Sequence, residues 1–274
     1  MHPGPEGASR WRRYVAIGDS FTEGLLDEDP ARPGGYRGWA DRLAEHLDGA
    51  ARRAGAPPLE YANLAVRGRL LGAVLEQQLP AALAARPDLV SLSGGGNDLL
   101  RPRADVDALA AAVEDAVQRL RAAGADVLLI TGVDPRDAPV VRLTRGRVAA
   151  YNLHLWAIAR RHGAAVLDLW GMRALYDWRM WAPDRIHLSA EGHRRVGLLA
   201  AATLLGATGA AEAEWARPLA PEPGRPRWRR SVDDARWARE HLVPWVRRRA
   251  TGRSSGDAVT AKRPRPAPLG PSGG

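Results

Sequence analysis

Four separated stretches of the chain carry the parts needed to transfer an acyl group to water. Ser20 lies in Gly18-Asp19-Ser20-Phe21-Thr22-Glu23-Gly24, and Gly68 closes Asn63-Leu64-Ala65-Val66-Arg67-Gly68. Asn97 and Asp98 follow Ser93-Gly94-Gly95-Gly96, and His187 ends Asp184-Arg185-Ile186-His187. A serine hydroxyl is a weak nucleophile until a base takes its proton. Histidine titrates near neutrality, and a carboxylate on its far ring nitrogen fixes the tautomer. Ser20, His187 and Asp184 therefore make a nucleophile, a base and an orienter. The backbone N–H groups of Ser20 and Gly68, with the side-chain amide of Asn97, can donate to an oxyanion. Each block taken alone also has a plain structural reading. Ser20 can cap a helix, Asn97 and Asp98 can be turn residues, and Asp184 with His187 can be a surface pair.

The elements that must position these residues alternate along the first 206 positions. Tyr14–Gly18, Leu59–Leu64, Asp88–Ser93, Val127–Thr131 and Ala165–Leu169 are short and nearly continuously apolar, as strands covered on both faces must be. Between them lie helical spacings: Trp39, Leu43 and Leu47; Val106, Leu109, Val113, Val117 and Leu120; Val148, Tyr151, Leu155 and Ile158. Gly124 and Gly163 stand where a helix ends before the next strand, and Ser189 is placed to cap the last core helix. The βα alternation predicts a five-stranded parallel sheet between two helical layers, with right-handed crossovers. Ligands of such sheets bind beyond the carboxyl ends of the strands, where the chemical blocks fall.

With order, strand-end placement and the Asp-x-x-His spacing taken together, the chain resembles the SGNH (GDSL-type) hydrolases over residues 12–206. Gly18-Asp19-Ser20, Gly68, Gly95-Gly96-Asn97-Asp98 and Asp184-x-x-His187 stand for that family's four blocks. The resemblance implies a flavodoxin-like three-layer fold, a catalytic set of Ser20, Asp184 and His187, and an oxyanion hole from Ser20, Gly68 and Asn97. It implies ester hydrolysis through an acyl-serine, with no metal or organic cofactor. The Gly-x-Ser-x-Gly turn of α/β-hydrolases is absent at Ser20, and Asp184 and His187 share one loop, so that fold is rejected. Neither a dinucleotide fingerprint nor a P-loop occurs where one would be needed.

Lesser candidates surround this set. Asp19 is read as a loop-shaping hydrogen bonder that can also touch substrate. Tyr176, Trp178, Met180 and Trp181 precede Asp184 in a segment placed to overhang the site, with Trp178 and Trp181 as a substrate wall. His193, His154 and His162 are read as structural or solvated, and Glu23 and Thr22 have no defined role. A carbohydrate O-deacetylase or a thioesterase would use the same triad.

Composition bounds the rest. The 274 residues, 45% hydrophobic, are ample for a buried core. Zero cysteine removes disulfides, thiolate metal sites and a cysteine nucleophile. No apolar run serves as a signal core or a membrane span, so a cytoplasmic location is expected. The net charge of +9 is uneven: residues 225–274 hold 13 basic and 4 acidic side chains, and the first 224 hold 27 of each. Residues 1–11 are expected to be disordered, 207–250 to form a proline-rich connection and an amphipathic helix from Ser231 to about Arg249, and 251–274 to be a disordered basic tail. Contact of this tail with nucleic acid or an anionic membrane is the alternative of a different class, a non-catalytic binding protein.

Overall fold

The computed structural model describes residues 11–138, 141–206, 214–220, 239–240 and 256–269. Five parallel strands form where the apolar runs lie: β1 (Arg13–Ile17), β2 (Glu60–Asn63), β3 (Leu89–Leu92), β4 (Asp126–Ile130) and β5 (Ala165–Leu167). Every residue of β3 is buried, as continuous hydrophobicity requires of a central strand.

The helices are α1 (Ser20–Glu23), α2 (Trp39–Arg53), α3 (Leu71–Ala73), α4 (Leu79–Ala84), α5 (Gly96–Leu99), α6 (Val106–Ala122), α7 (Arg145–His162) and α8 (Ala190–Leu205). Between α3 and α4 the backbone runs through a π-helical stretch, Val74–Gln78, just ahead of Pro80, which has no N–H with which to continue an α ladder. Trp39, Leu43 and Leu47 of α2 join Val196, Ala200 and Leu204 of α8 in the core on one face of the sheet. Val74 and Leu79 join Val113, Val117 and Leu120 of α6 and Tyr151, Leu155 and Ile158 of α7 on the other. The result is the expected three-layer α/β/α sandwich.

The order across the sheet is β5-β4-β3-β1-β2-β6, so strand order reverses between β1 and β3. Chains leaving those two strands diverge to opposite helical layers and leave a crevice beyond the strand ends. Ser20 follows β1 and Asn97 follows β3, so they face each other across that crevice.

The expectation of five strands needs correction. A sixth, β6 (Arg263–Pro268), pairs antiparallel with β2: Tyr61 stands opposite Ala267 and Asn63 opposite Arg263, with an irregularity between. The expectation of disorder over 251–274 is therefore wrong for residues 256–269. Composition misled here, because Pro264, Pro266 and Pro268 alternate with residues that keep their N–H. A strand at the margin needs donors only on its inner side, and Ala267 and Arg263, which stand opposite Tyr61 and Asn63, both keep their N–H. Trp11 also departs from expectation: it is buried in the core and its indole N–H donates to Asp126. The helix expected from Ser231 to about Arg249 lies outside the described residues, apart from 239–240.

Candidate active site

Ser20 is the first residue of α1, directly after β1. Asp19 caps the turn by accepting the Phe21 N–H at 3.1 Å. One residue earlier, Gly18 is clasped on both sides by the Gln78 amide: its N–H donates to Gln78 Oε1 at 2.8 Å, and its carbonyl accepts from Nε2 at 2.9 Å. This buried clasp fixes the exit of β1. Sequence reasoning passes over Gln78, since a single glutamine in an apolar helix carries no motif.

Asp184 and His187 arrive on a loop pinned like a short hairpin. The Ala182 N–H donates to the His187 carbonyl at 2.8 Å, and the Ser189 N–H donates to the Met180 carbonyl at 2.9 Å. Within the loop, one carboxylate oxygen of Asp184 accepts the N–H groups of Ile186 and His187, each at 3.0 Å. Its other oxygen lies 2.6 Å from His187 Nδ1, and His187 Nε2 lies 3.0 Å from Ser20 Oγ. Burial works against the charge on Asp184, but the hydrogen bond and charge of His187 and the two backbone donors outweigh it, so its pKa falls below the usual value. An ionised Asp184 accepts the Nδ1 proton, which leaves a lone pair on Nε2 facing the Ser20 hydroxyl.

Gly68 lies in the turn after β2 with φ +72, a conformation that favours glycine. Gly68, Asn97, Ser20 and His187 all line one cavity of about 1000 Å³. The Asn97 amide donates to a carboxylate oxygen of Asp19 at 3.2 Å and to the Arg69 carbonyl at 3.1 Å. Asp98, its neighbour, accepts the Leu71 N–H at 3.0 Å and so ties the loop after β3 to the start of α3. Asp19 is buried, and desolvation raises its pKa from 3.8 to about 6.

The arrangement brings together a hydroxyl, an imidazole and an ionised carboxylate beside amide donors, at the mouth of a large cavity. The chain belongs to the GDSL-like lipase/acylhydrolase family, whose model matches residues 16–195. As a GDSL-like acylhydrolase it is an enzyme that cleaves ester bonds, and a catalytic triad and an oxyanion hole are general to the family. Its fold is shared with TesA (24% identity, TM-score 0.56, covering 70% of this chain and 99% of that one). The psychrotrophic esterase EstA from a Pseudoalteromonas species matches at 16% identity and TM-score 0.54, over 70% of this chain and 96% of its own. The lipase/acylhydrolase from Enterococcus faecalis matches at 21% identity and TM-score 0.55, over 71% and 96% respectively. No curated protein sequence matches the chain.

In this GDSL-like hydrolase the overhanging segment behaves partly as the sequence suggests. Trp178 and Trp181 line the cavity, with ring centroids 6.5 Å apart. The Trp181 indole N–H donates to the Leu175 carbonyl at 2.8 Å, which anchors the wall. Trp178 is 40% exposed at the rim, with the Arg185 guanidinium 5.6 Å from its ring. Met180 turns away into the core. His193 is on α8 and buried; its Nδ1 accepts the Trp39 N–H at 3.3 Å, and burial pushes its pKa down to about 3. His154 and His162 pair with Asp107 and Glu114 on the α6–α7 side. Glu23, which had no assigned role, is buried and holds Arg67 through both the backbone N–H and the guanidinium. Among the described residues no helix is long and apolar enough to cross a membrane.

Proposed function

We propose that the enzyme hydrolyses carboxylic esters through an acyl-serine on Ser20. The observation that carries this reading is the continuous hydrogen-bonded line from Asp184 through His187 to Ser20, 2.6 and 3.0 Å long, at the edge of the cavity. Ser20 Oγ attacks the ester carbonyl carbon as its proton passes to His187 Nε2. The oxyanion accepts from the N–H groups of Ser20 and Gly68 and from the Asn97 amide. Asn97 meets its present partners at the long end of the N–H···O range, so a developing negative charge competes well for its protons. The tetrahedral species collapses, and the alkoxide leaves with the proton from His187. Water then gives a proton to His187 and attacks the acyl carbon. The second tetrahedral species collapses, the bond to Ser20 Oγ breaks to release the acid, and Ser20 takes its proton back from His187.

For the substrate we favour esters with an acyl group larger than acetyl. Leu70, Leu99, Val133 and Leu143 line the cavity together with Tyr176, and its volume exceeds what an acetyl group fills. A second reading, sugar O-deacetylation, is favoured by the exposed face of Trp178, since aromatic faces accept the apolar faces of sugars. Acetylxylan esterase Axe2 shares the fold at 18% identity and TM-score 0.55.

Hydrolysis of p-nitrophenyl esters from acetate to palmitate by wild type and Ser20→Ala tests both readings. The proposal requires turnover by wild type, loss in the variant and an optimum beyond acetate. An optimum at acetate with rapid release from acetylated xylan selects the deacetylase reading. Activity retained in Ser20→Ala overturns the mechanism.

A further inference from the structure

Gly68 is the one oxyanion donor carried by a loop outside the helices, and what orients its peptide is unusual. Residues 256–269 lie beyond the matched family region, yet they run along β2 and reach the loop that ends at Gly68. A Cβ placed on Gly256 would stand 2.0 Å from the Arg67 carbonyl oxygen, so backbone packs directly against backbone there. That carbonyl and the Gly68 N–H belong to the same planar peptide unit and point in opposite directions. Whatever presses on the carbonyl therefore aims the N–H.

Lys262, the only lysine in the chain, makes the second contact. Its ammonium donates to the Glu23 carbonyl at 2.5 Å, the Tyr36 carbonyl at 2.9 Å and the Asp41 carboxylate at 2.5 Å, which uses all three protons. Glu23 is the last residue of α1, the helix that begins with Ser20, and its carboxylate accepts the Arg67 N–H at 2.7 Å. The Arg67 guanidinium is held by the same carboxylate and lies 5.1 Å from the Tyr36 ring. Lys262 thus joins the end of α1 to Tyr36 and to α2, and the Glu23 side chain in turn holds the Val66–Arg67 peptide, one unit before the peptide that carries the Gly68 N–H.

We infer that the segment 256–262 is a clamp on the oxyanion loop, with Lys262 as a positioning residue for the hydrolysis that sets the direction of the Gly68 N–H. The inference rests on the proposed role of Gly68 and adds the part of the chain that holds it. A tilted donor weakens binding of the tetrahedral species and leaves ground-state binding of the ester nearly unchanged.

The test uses the full-length protein as wild type, Lys262→Met, Gly256→Ala and Ser20→Ala. Each is assayed on a p-nitrophenyl ester, titrated with a fluorophosphonate to count reactive serines, and titrated with an alkyl boronic acid, which forms a tetrahedral adduct on serine. Lys262→Met and Gly256→Ala are expected to lower kcat per reactive serine about 10- to 100-fold, below the loss from deleting an oxyanion donor outright. KM stays within about twofold, and boronate affinity falls in step with kcat. If Lys262→Met does not fold, Gly256→Ala decides alone, because the added methyl bears on the Arg67 carbonyl itself. Values of kcat per reactive serine and boronate affinity within about twofold of wild type overturn the inference, even where the melting temperature drops. A Ser20→Ala protein as active as wild type overturns the reading of the site itself, and this inference with it.

Discussion

The side-chain amide of Asn97 lies 3.2 Å from a carboxylate oxygen of Asp19, the residue before Ser20. The two come from opposite sides of the strand-order reversal, one after β1 and one after β3. Asp19 therefore holds in the resting site the donor that the proposed reaction needs, and it does so from a buried position that disfavours its own charge.

Asn97→Ala should lower kcat about 100- to 1,000-fold with the fold intact, the usual cost of one oxyanion donor. Steady-state kinetics beside a circular dichroism spectrum check this. A rate within about threefold of wild type would exclude Asn97 from the oxyanion hole.

Asp19 should leave a signature in stability against pH. Its folded pKa, about 6, stands above the ordinary 3.8. Between those values the native protein keeps a proton that the unfolded chain has released, so stability falls as pH rises through roughly 4 to 6 and then levels. A separation of about two pKa units corresponds to about 3 kcal/mol at most. Asp19→Asn should flatten this slope and gain about 1–3 kcal/mol at pH 8 relative to pH 4. Urea unfolding of both proteins at the two pH values measures it, and parallel losses in wild type and variant would contradict it.

Asp184→Asn removes the acceptor that orients His187 and keeps nearly the same shape. The amide can satisfy the backbone N–H groups of Ile186 and His187 but cannot stabilise an imidazolium. A fall in kcat of about 10³- to 10⁴-fold is expected, the scale of such changes in other serine triads. A loss under tenfold would mean that His187 does not depend on Asp184 for its tautomer.

Trp178→Ala should separate substrates by size. The ring borders the cavity mouth, 40% exposed, with Trp181 on one side and the Arg185 guanidinium over it. Octanoate and longer esters should lose about 10-fold or more in kcat/KM, the worth of about 1.5 kcal/mol of apolar contact, and acetate less than twofold. Equal losses across the series would place Trp178 away from the acyl path.

The parallel sheet was legible because buried strands must be continuously apolar, and the runs at Tyr14, Asp88 and Val127 stop at the residues that begin the site loops. The placing of Ser20 and Asn97 after β1 and β3, and of Asp184 and His187 on the stretch ahead of α8, was legible for the same reason. Gln78, Glu23 and Lys262 were not. Their roles arise from carbonyls and N–H groups brought near by the fold, and a backbone atom leaves no mark in a sequence. The strand Arg263–Pro268 was hidden by composition, since proline and arginine are typical of disorder unless their period of two is noticed.

That period has a consequence for how copies of the molecule treat one another. With Pro264, Pro266 and Pro268 at every second position of β6, this marginal strand lacks half the N–H donors that a regular edge would offer an incoming strand. The opposite margin, β5, is three residues long. The sheet is thus finished at one side by chemistry and at the other by brevity, which leaves neither edge a long regular template for another copy of the chain.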